Sequence, residues 1–279
     1  MTDFFGGAAL NSSIKDTAIL LAAFGTTVPG ADGVYAQIES RARCLFPGVD
    51  IFWAYTSKVV REKLAAQGLV FNSPVQALGL MAESGFSRVA LQSLLIIPGL
   101  EHHDLIRTRA ALEGLPKGIQ RISLGAPLLS TTRDLQRFTQ AMLENVPPKR
   151  EPGEAVIFMG HGSLHPANAL YAALQYHFWI LDQNIYVGAV EGTPGLEDII
   201  PLLQKNRIRK ALLLPLMVVA GDHALKDMAG RQTESWASVL QAMGIETKVT
   251  MKGLGAYENV REIWLDHLRD AVASLKDVH

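Results

Sequence analysis

Residues 18–27, AILLAAFGTT, and residues 155–164, AVIFMGHGSL, decide the fold class of this chain. Each stretch is a run of small and aliphatic residues that stops at a glycine and a polar loop, which is typical of a buried strand in a parallel sheet. The two stretches align without a gap, so that Phe24 lies opposite His161 and Gly25 opposite Gly162. This match indicates that the chain repeats itself.

Three further matches follow in the same order along the chain, which favours two similar halves over chance likeness. They pair residues 50–57 with 184–191, 88–101 with 210–223, and 125–135 with 253–263. Between the halves, residues 144–153 (ENVPPKREPG) contain three prolines, a glycine and mixed charge, which predicts a linker. We therefore expect an N-terminal domain over residues 14–140 and a C-terminal domain over residues 152–275.

In both halves, short apolar runs alternate with longer amphipathic stretches. This alternation predicts βαβ units and parallel sheets with helices on both faces. The predicted fold is α/β, with two similar doubly wound, flavodoxin-like domains that face a central cleft. The predicted helices cover residues 34–46, 57–67, 73–84, 103–112, 131–144, 166–181, 194–206, 233–243 and 259–275.

Composition excludes several classes of protein. With 26 basic and 27 acidic side chains the net charge is −1, which argues against a nucleic-acid partner bound by neutralising phosphates. One cysteine, Cys44, excludes an internal disulfide, a cysteine zinc site and an iron–sulfur cluster carried by this chain alone. The sequence GxxxxGK[ST] is absent, so no nucleotide cofactor is expected. The eight histidines are the more available metal ligands.

The sequence also bears on location. Residues 211–221 form the longest uncharged apolar run of the second half, but the run is too short to span a bilayer and fits a buried strand. Residues 1–11 lack the basic and apolar regions of a secretory signal. We therefore expect no membrane span and a cytoplasmic location, although an export signal removed by processing would leave no trace. The oligomeric state, including a homo-oligomer, is left open.

Three metal-capable side chains follow successive strands of the second half. They are His161, Glu191 and His223. In an open α/β sheet, ligands bind beyond the carboxyl ends of the strands. If the strand order is flavodoxin-like, these three ends are neighbours, and the side chains can converge on one divalent ion. Two imidazoles and a carboxylate suit Co²⁺, Fe²⁺, Ni²⁺ or Zn²⁺ and leave positions open for a reacting group.

The first half has Phe24 and Ser57 at the positions of His161 and Glu191, so it lacks this set. It carries instead Glu101, His102 and His103 after its third strand. Glu101 is a candidate proton acceptor on the opposite wall of the cleft. His102 and His103 are either accessory metal or haem ligands, groups supporting the site, or part of a solvated helix N-terminus.

Four segments of the chain resemble a known family. They are residues 20–27 (LLAAFGTT), 158–163 (FMGHGS), 188–195 (GAVEGTPG) and 215–230 (PLMVVAGDHALKDMAG). In this order they resemble the class II tetrapyrrole chelatases, and within them the anaerobic sirohydrochlorin cobaltochelatases of the CbiK type. The resemblance implies two α/β halves around a cleft for the macrocycle. It also implies that His161 and His223 are the metal-site histidines, with Glu191 and Glu101 as acidic partners.

The resemblance further implies a metal-inserting lyase of cobalamin biosynthesis. Co²⁺ would be the substrate metal and sirohydrochlorin or a related tetrapyrrole the partner, with Fe²⁺ insertion towards sirohaem, or Ni²⁺, as variants. Insertion releases two pyrrole protons, which His161, His223 and Glu101 could accept. Thr26, Ser163 and Lys226 are the candidates for binding the carboxylates of the tetrapyrrole.

Two other functions fit the same residues. In a zinc-type hydrolase, the His/Glu/His set would activate water and an ester or phosphate would be turned over. In a non-catalytic metal or haem protein, His102 or His103 would hold a ligand tightly without turnover.

Overall fold

The computed structural model describes residues 16–147 and 150–276. Residues 1–11, on which the expectation about a secretory signal rests, lie outside these ranges, as do the first residues of the predicted N-terminal domain. Within the described part of the chain, no helix combines the length and the apolar character needed to cross a membrane.

The first half is built around four strands. In chain order its elements are β1 (Thr17–Ala23), α1 (Gly33–Leu45), β2 (Asp50–Tyr55), α2 (Lys58–Ala65), α3 (Pro74–Glu83), β3 (Arg88–Leu94), α4 (Leu100–Leu112), β4 (Arg121–Gly125) and α5 (Thr132–Asn145). All neighbouring strands pair in parallel, in the order β2-β1-β3-β4.

The second half repeats this arrangement. Its elements are β5 (Glu154–Gly162), a 3₁₀ turn (Pro166–Asn168), α6 (Ala169–Leu181), β6 (Ile185–Glu191), α7 (Leu196–Lys205), β7 (Lys210–Leu216), a π-helical turn (Ala224–Met228), α8 (Trp236–Ala242), β8 (Glu246–Val249), a 3₁₀ turn (Leu254–Ala256) and α9 (Glu258–Ser274). The strand order is β6-β5-β7-β8, again all parallel.

The matched sequence segments fall on equivalent strands. Residues 18–27 and 155–164 contain the inner strands β1 and β5, and the next two matches contain β2 with β6 and β3 with β7. In each sheet the second strand lies beside the first and the third lies on its other side. The predicted α/β fold with two doubly wound parallel sheets is therefore confirmed, including the order on which the convergence of strand ends depends.

One helix boundary matters for the site. The predicted helix over residues 103–112 begins earlier, at Leu100, with Gly99 in extended conformation before it. Glu101, His102 and His103 therefore lie in the first turn of α4 instead of in a loop after β3. An acidic side chain such as Glu101 is favoured at this end of a helix because the unpaired backbone N–H groups carry partial positive charge.

The last helix, α9, packs against β3 and β4 of the first sheet. The indole Nε1 of its Trp264, which is fully buried, donates to the carbonyl of Leu95 over 3.1 Å. Ser123 in β4 donates to the carbonyl of Ala271 over 2.6 Å. The last helix thus belongs to the second half by sequence but packs on the sheet of the first half. The domain boundaries 14–140 and 152–275 stay a prediction.

Candidate metal and substrate site

A cavity of about 500 Å³ lies between the carboxyl ends of the two sheets. The first half lines it with the β1–α1 loop, helix α2 and the first turn of α4. The second half lines it with the residues that follow β5, β6 and β7. Of the predicted site residues, Thr26, Glu101, His161, Ser163, Glu191 and His223 line this cavity, whereas His102, His103 and Lys226 are not among its lining residues.

His161 and His223 come together in this cavity. Their ring centroids are 4.4 Å apart and their planes are inclined by 83°. His161 lies at the end of strand β5, and His223 has helical backbone angles directly before the π-helical turn that follows β7. Both are partly exposed to the cavity. Adjacent parallel strands thus place two imidazoles from distant parts of the chain side by side.

Glycines on both sides of His161 allow this packing. Gly162 has φ +87°, and a Cβ at this position would overlap the carbonyl oxygen of Glu191 on the neighbouring strand β6. A Cβ on Gly160 would overlap the ring of Tyr171. Any larger residue would therefore push β5 away from β6 or from α6, and would move His161 with it.

Hydrogen bonds fix the tautomer of both histidines. His223 Nδ1 lies 2.6 Å from a carboxylate oxygen of Asp227, and His161 Nδ1 lies 3.2 Å from the carbonyl oxygen of Gly162. Because these oxygens only accept, Nδ1 carries the proton in each ring. The Nε2 lone pairs are then free, which is the arrangement that metal-binding histidines require.

Asp227 is a functional candidate that the sequence analysis missed. Its signal is the four-residue spacing from His223, which brings two side chains to the same face of a helical turn. In such an Asp–His pair the carboxylate holds the imidazole ring in one orientation, so Asp227 supports His223 as a candidate metal ligand.

Glu191 lines the cavity at the end of β6, directly beside Gly162 in the strand register. It is exposed. Within residues 16–147 and 150–276, no group of three or more His, Cys, Asp or Glu side chains is arranged to hold a metal ion. The structure therefore brings the two histidines together, while the convergence of Glu191 with them on one ion stays a prediction.

Glu101 lines the cavity from the first half, as expected for a group on the opposite wall. Tyr171 also lines the cavity, and its hydroxyl faces the amide of Gly162. Burial raises the pKa of Tyr171 to about 12, and the negative charge of Glu101 acts in the same direction. Tyr171 is therefore a protonated hydroxyl at neutral pH.

His102 and His103 do not lie in the cavity wall. His102 is buried, its Nδ1 has no hydrogen-bond partner, and burial, followed by the nearby His103, lowers its pKa to about 4. The interpretation as a solvated helix N-terminus is therefore wrong for His102. His103 is exposed, and its ring centroid lies 4.5 Å from that of His165, in the loop after β5.

The three predicted substrate-binding residues differ in position. Thr26 is buried and its Oγ1 accepts from the amide of Val28 over 3.1 Å, which leaves its O–H as a donor. Ser163 lines the cavity, and its Oγ accepts from the amide of His165. Lys226 is exposed, with Nζ 3.4 Å from Asp222. The sequence analysis missed Lys63, which does line the cavity.

Two doubly wound parallel sheets line a common cavity, with two imidazoles supplied by the second half and a carboxylate by the first, and this arrangement defines a two-lobed α/β protein. Residues 17–273 match the cobalt chelatase (CbiK) family. The chain belongs to this family.

Curated relatives agree with this assignment. The chain is 40% identical over 259 residues to the sirohydrochlorin cobaltochelatase CbiKC of Nitratidesulfovibrio vulgaris, covering 93% of this chain and 92% of that protein. It is 36% identical to the sirohydrochlorin cobaltochelatase of Salmonella typhimurium, covering 91% of this chain and 96% of that protein. The solved structure of SirB from Bacillus subtilis with Fe³⁺ has the same fold, with a TM-score of 0.62, 15% identity and coverage of 93% and 96%.

Proposed function

We propose that this protein is a sirohydrochlorin cobaltochelatase, a lyase that inserts Co²⁺ into sirohydrochlorin in cobalamin biosynthesis. One observation carries the proposal: the rings of His161 and His223 lie 4.4 Å apart in a cleft, each with Nδ1 engaged in a hydrogen bond, and Glu101 lines the same cleft from the first half. The names of the curated relatives support the same reaction. Insertion of Fe²⁺ towards sirohaem is the second reaction that this donor set suits.

In this proposal His161 and His223 bind the incoming metal through Nε2, and Glu191 completes the set. Imidazole and carboxylate ligands suit borderline divalent ions and exchange them more readily than several thiolates would. An incompletely ligated ion keeps positions open for pyrrole nitrogens, which is what release into a macrocycle requires.

Glu101 is proposed to accept pyrrole protons as the metal enters the ring. Two protons leave the free-base macrocycle, so a proton acceptor must lie within reach of the pyrrole nitrogens. Tyr171, whose pKa is raised in part by the charge of Glu101, has a pKa of about 12 and cannot act as a base at neutral pH. A positioned carboxylate therefore remains as the acceptor on that wall.

Exposed apolar side chains fit the faces of a macrocycle. Phe24, Val59, Leu100 and Leu164 all line the cavity, and Leu164 is 92% exposed. Apolar side chains that are exposed around a cleft mark a binding surface. They would cover the ring faces, while the polar groups act on its centre and edge.

The test is anaerobic conversion of sirohydrochlorin by Co²⁺, followed by the visible absorption change. We expect multiple turnovers by the parent and severe loss in His161→Ala and His223→Ala. Hydrolysis of an ester or phosphate with no change in the tetrapyrrole spectrum would favour the zinc-type hydrolase. Stoichiometric binding without turnover would favour a non-catalytic metal or haem protein. Neither alternative has support from the relatives.

Several finer expectations remain predictions beside this proposal. They are use of Ni²⁺, an accessory metal or haem ligand at His102 or His103, a homo-oligomer, and a cytoplasmic location. His102 is a poor candidate for an accessible ligand because it is buried. The ring of His103 contacts that of His165, so a metal or haem at His103 would either involve His165 as well or displace this contact.

A further inference from the structure

Lys63 contributes a positive charge to a cavity wall whose other charged side chains are carboxylates. It lies on helix α2, and among the described residues it is the only lysine or arginine that lines the cavity. The other charged groups of the wall are the carboxylates Glu101, Glu191 and Asp222. A substrate with several carboxylates would meet mainly negative charge there, so a single cation has a large effect on where its edge can lie.

Lys63 reaches across the cleft. Its Nζ lies 4.0 Å from an oxygen of Asp222, which belongs to the second half and directly precedes His223. The Lys63 side chain is 55% exposed and that of Asp222 is 41% exposed. A pair of this length and exposure contributes little to stability. Lys63 can therefore leave Asp222 for another carboxylate at small cost in free energy.

Asp222 does not depend on Lys63 for a partner. Lys226 Nζ approaches the same oxygen of Asp222 more closely, at 3.4 Å, and it does so from outside the cavity wall. If Lys63 turns to another carboxylate, Asp222 keeps its ion pair with Lys226. The arrangement thus allows exchange of one carboxylate partner for another at Lys63.

We propose that Lys63 binds a peripheral carboxylate of the tetrapyrrole, and that Asp222 pairs with Lys63 in place of this carboxylate when no substrate is bound. This inference rests on the proposed function, because it takes the ligand to be a polycarboxylate macrocycle. Lys63 then sets the orientation of the ring relative to His161 and His223. Its contribution is to substrate binding and not to the transfer of the metal.

The two partners have effects of opposite sign under this proposal. Removing the charge of Lys63 removes the group that binds a substrate carboxylate, so substrate binding weakens. Removing the charge of Asp222 takes a competitor away from the substrate, so binding strengthens. A pair that merely tied the two halves together would give the same sign for both changes. The sign therefore separates the proposed role from a structural one.

The experiment is a fluorescence titration of sirohydrochlorin without metal, combined with steady-state Co²⁺ insertion. For Lys63→Gln we expect an affinity three- to tenfold weaker, roughly the value of one charge-assisted contact at an exposed site, with KM raised and kcat nearly unchanged. For Asp222→Asn we expect affinity about twofold tighter in the metal-free titration. The double variant should behave like Lys63→Gln, and Lys63→Arg should restore most of the binding.

Lys58→Gln is the matched control. Lys58 lies on the same helix and pairs with Glu62 over 3.6 Å, but it does not line the cavity. We expect parental affinity for this variant. Parental affinity in Lys63→Gln, or weakening of the same size in Asp222→Asn, would overturn the assignment of Lys63 while leaving the proposed reaction intact. A parent protein that neither binds nor converts sirohydrochlorin would overturn the proposed function, and the assignment with it.

Discussion

The ring of His223 stands nearly perpendicular to that of His161, with the ring centroids 4.4 Å apart, while its Nδ1 is held 2.6 Å from the carboxylate of Asp227. The carboxylate therefore holds the ring of His223 and fixes its proton on Nδ1, which leaves Nε2 as the available metal ligand. This relationship makes Asp227 an indirect contributor to metal binding.

Replacing Asp227 by asparagine should weaken Co²⁺ binding about 10- to 100-fold, because loss of an orienting carboxylate typically has this effect on a metal-bound histidine. The measurement is a Co²⁺ titration followed by visible absorption, with circular dichroism to show that the fold is kept. His223→Ala should bind still more weakly. Unchanged Co²⁺ affinity in Asp227→Asn would show that the Asp227 contact does not orient a ligand.

Replacing Glu101 by glutamine should slow insertion by about 10²-fold or more, since this is the usual contribution of a positioned proton acceptor. Co²⁺ affinity should stay close to that of the parent because Glu101 lies on the wall opposite the histidines. The two quantities are measured separately, by turnover and by metal titration. A large loss of Co²⁺ affinity would make Glu101 a metal ligand instead.

Replacing Gly162 by alanine should destabilise the protein far more than replacing Gly244 by alanine. Both glycines have positive φ, +87° and +79°, so both substitutions incur the left-handed penalty of about 1–2 kcal/mol. Only at Gly162 would the new Cβ also overlap backbone, the carbonyl of Glu191, whereas nothing lies near it at Gly244. Urea unfolding measures both. Equal losses would mean that β5 and β6 separate without cost.

His102 should make the protein less stable in mild acid. Burial lowers its pKa in the folded state from 6.5 to about 4, so the unfolded chain takes up a proton at a higher pH than the folded chain. Its contribution is thus fully present above pH 6.5 and is lost as the pH falls towards 4. Urea unfolding of the parent between pH 7.5 and 4.5 should show this loss.

His102→Gln tests the assignment of this pH dependence. Its unfolding free energy should fall less steeply over the same pH range than that of the parent, whatever its stability at pH 7.5. His177→Gln, which changes a less buried histidine, is the matched control and should keep the parental slope. Identical slopes for the parent and His102→Gln would show that His102 is not the group responsible.

Much of the fold could be predicted because it is encoded locally. Apolar runs that end at glycine gave β1 and β5, the repeated order of segments gave two equivalent sheets, and the ends of β5 and β7 pointed to His161 and His223. Where prediction was wrong, the cause was local as well. The first turn of α4 begins at Leu100, because Gly99 ends the preceding loop, and this buries His102 instead of leaving it in solvent.

The sequence by itself therefore determined the α/β class, the duplication, and which residue types could bind a metal, because periodicity and composition depend on neighbours along the chain. Only the tertiary structure decided that α9 covers β3 and β4 and that Lys63 faces Asp222 across the cleft. These contacts join residues or elements whose separation in space is set by how sheets and helices pack. No periodic pattern in the sequence records such a distance.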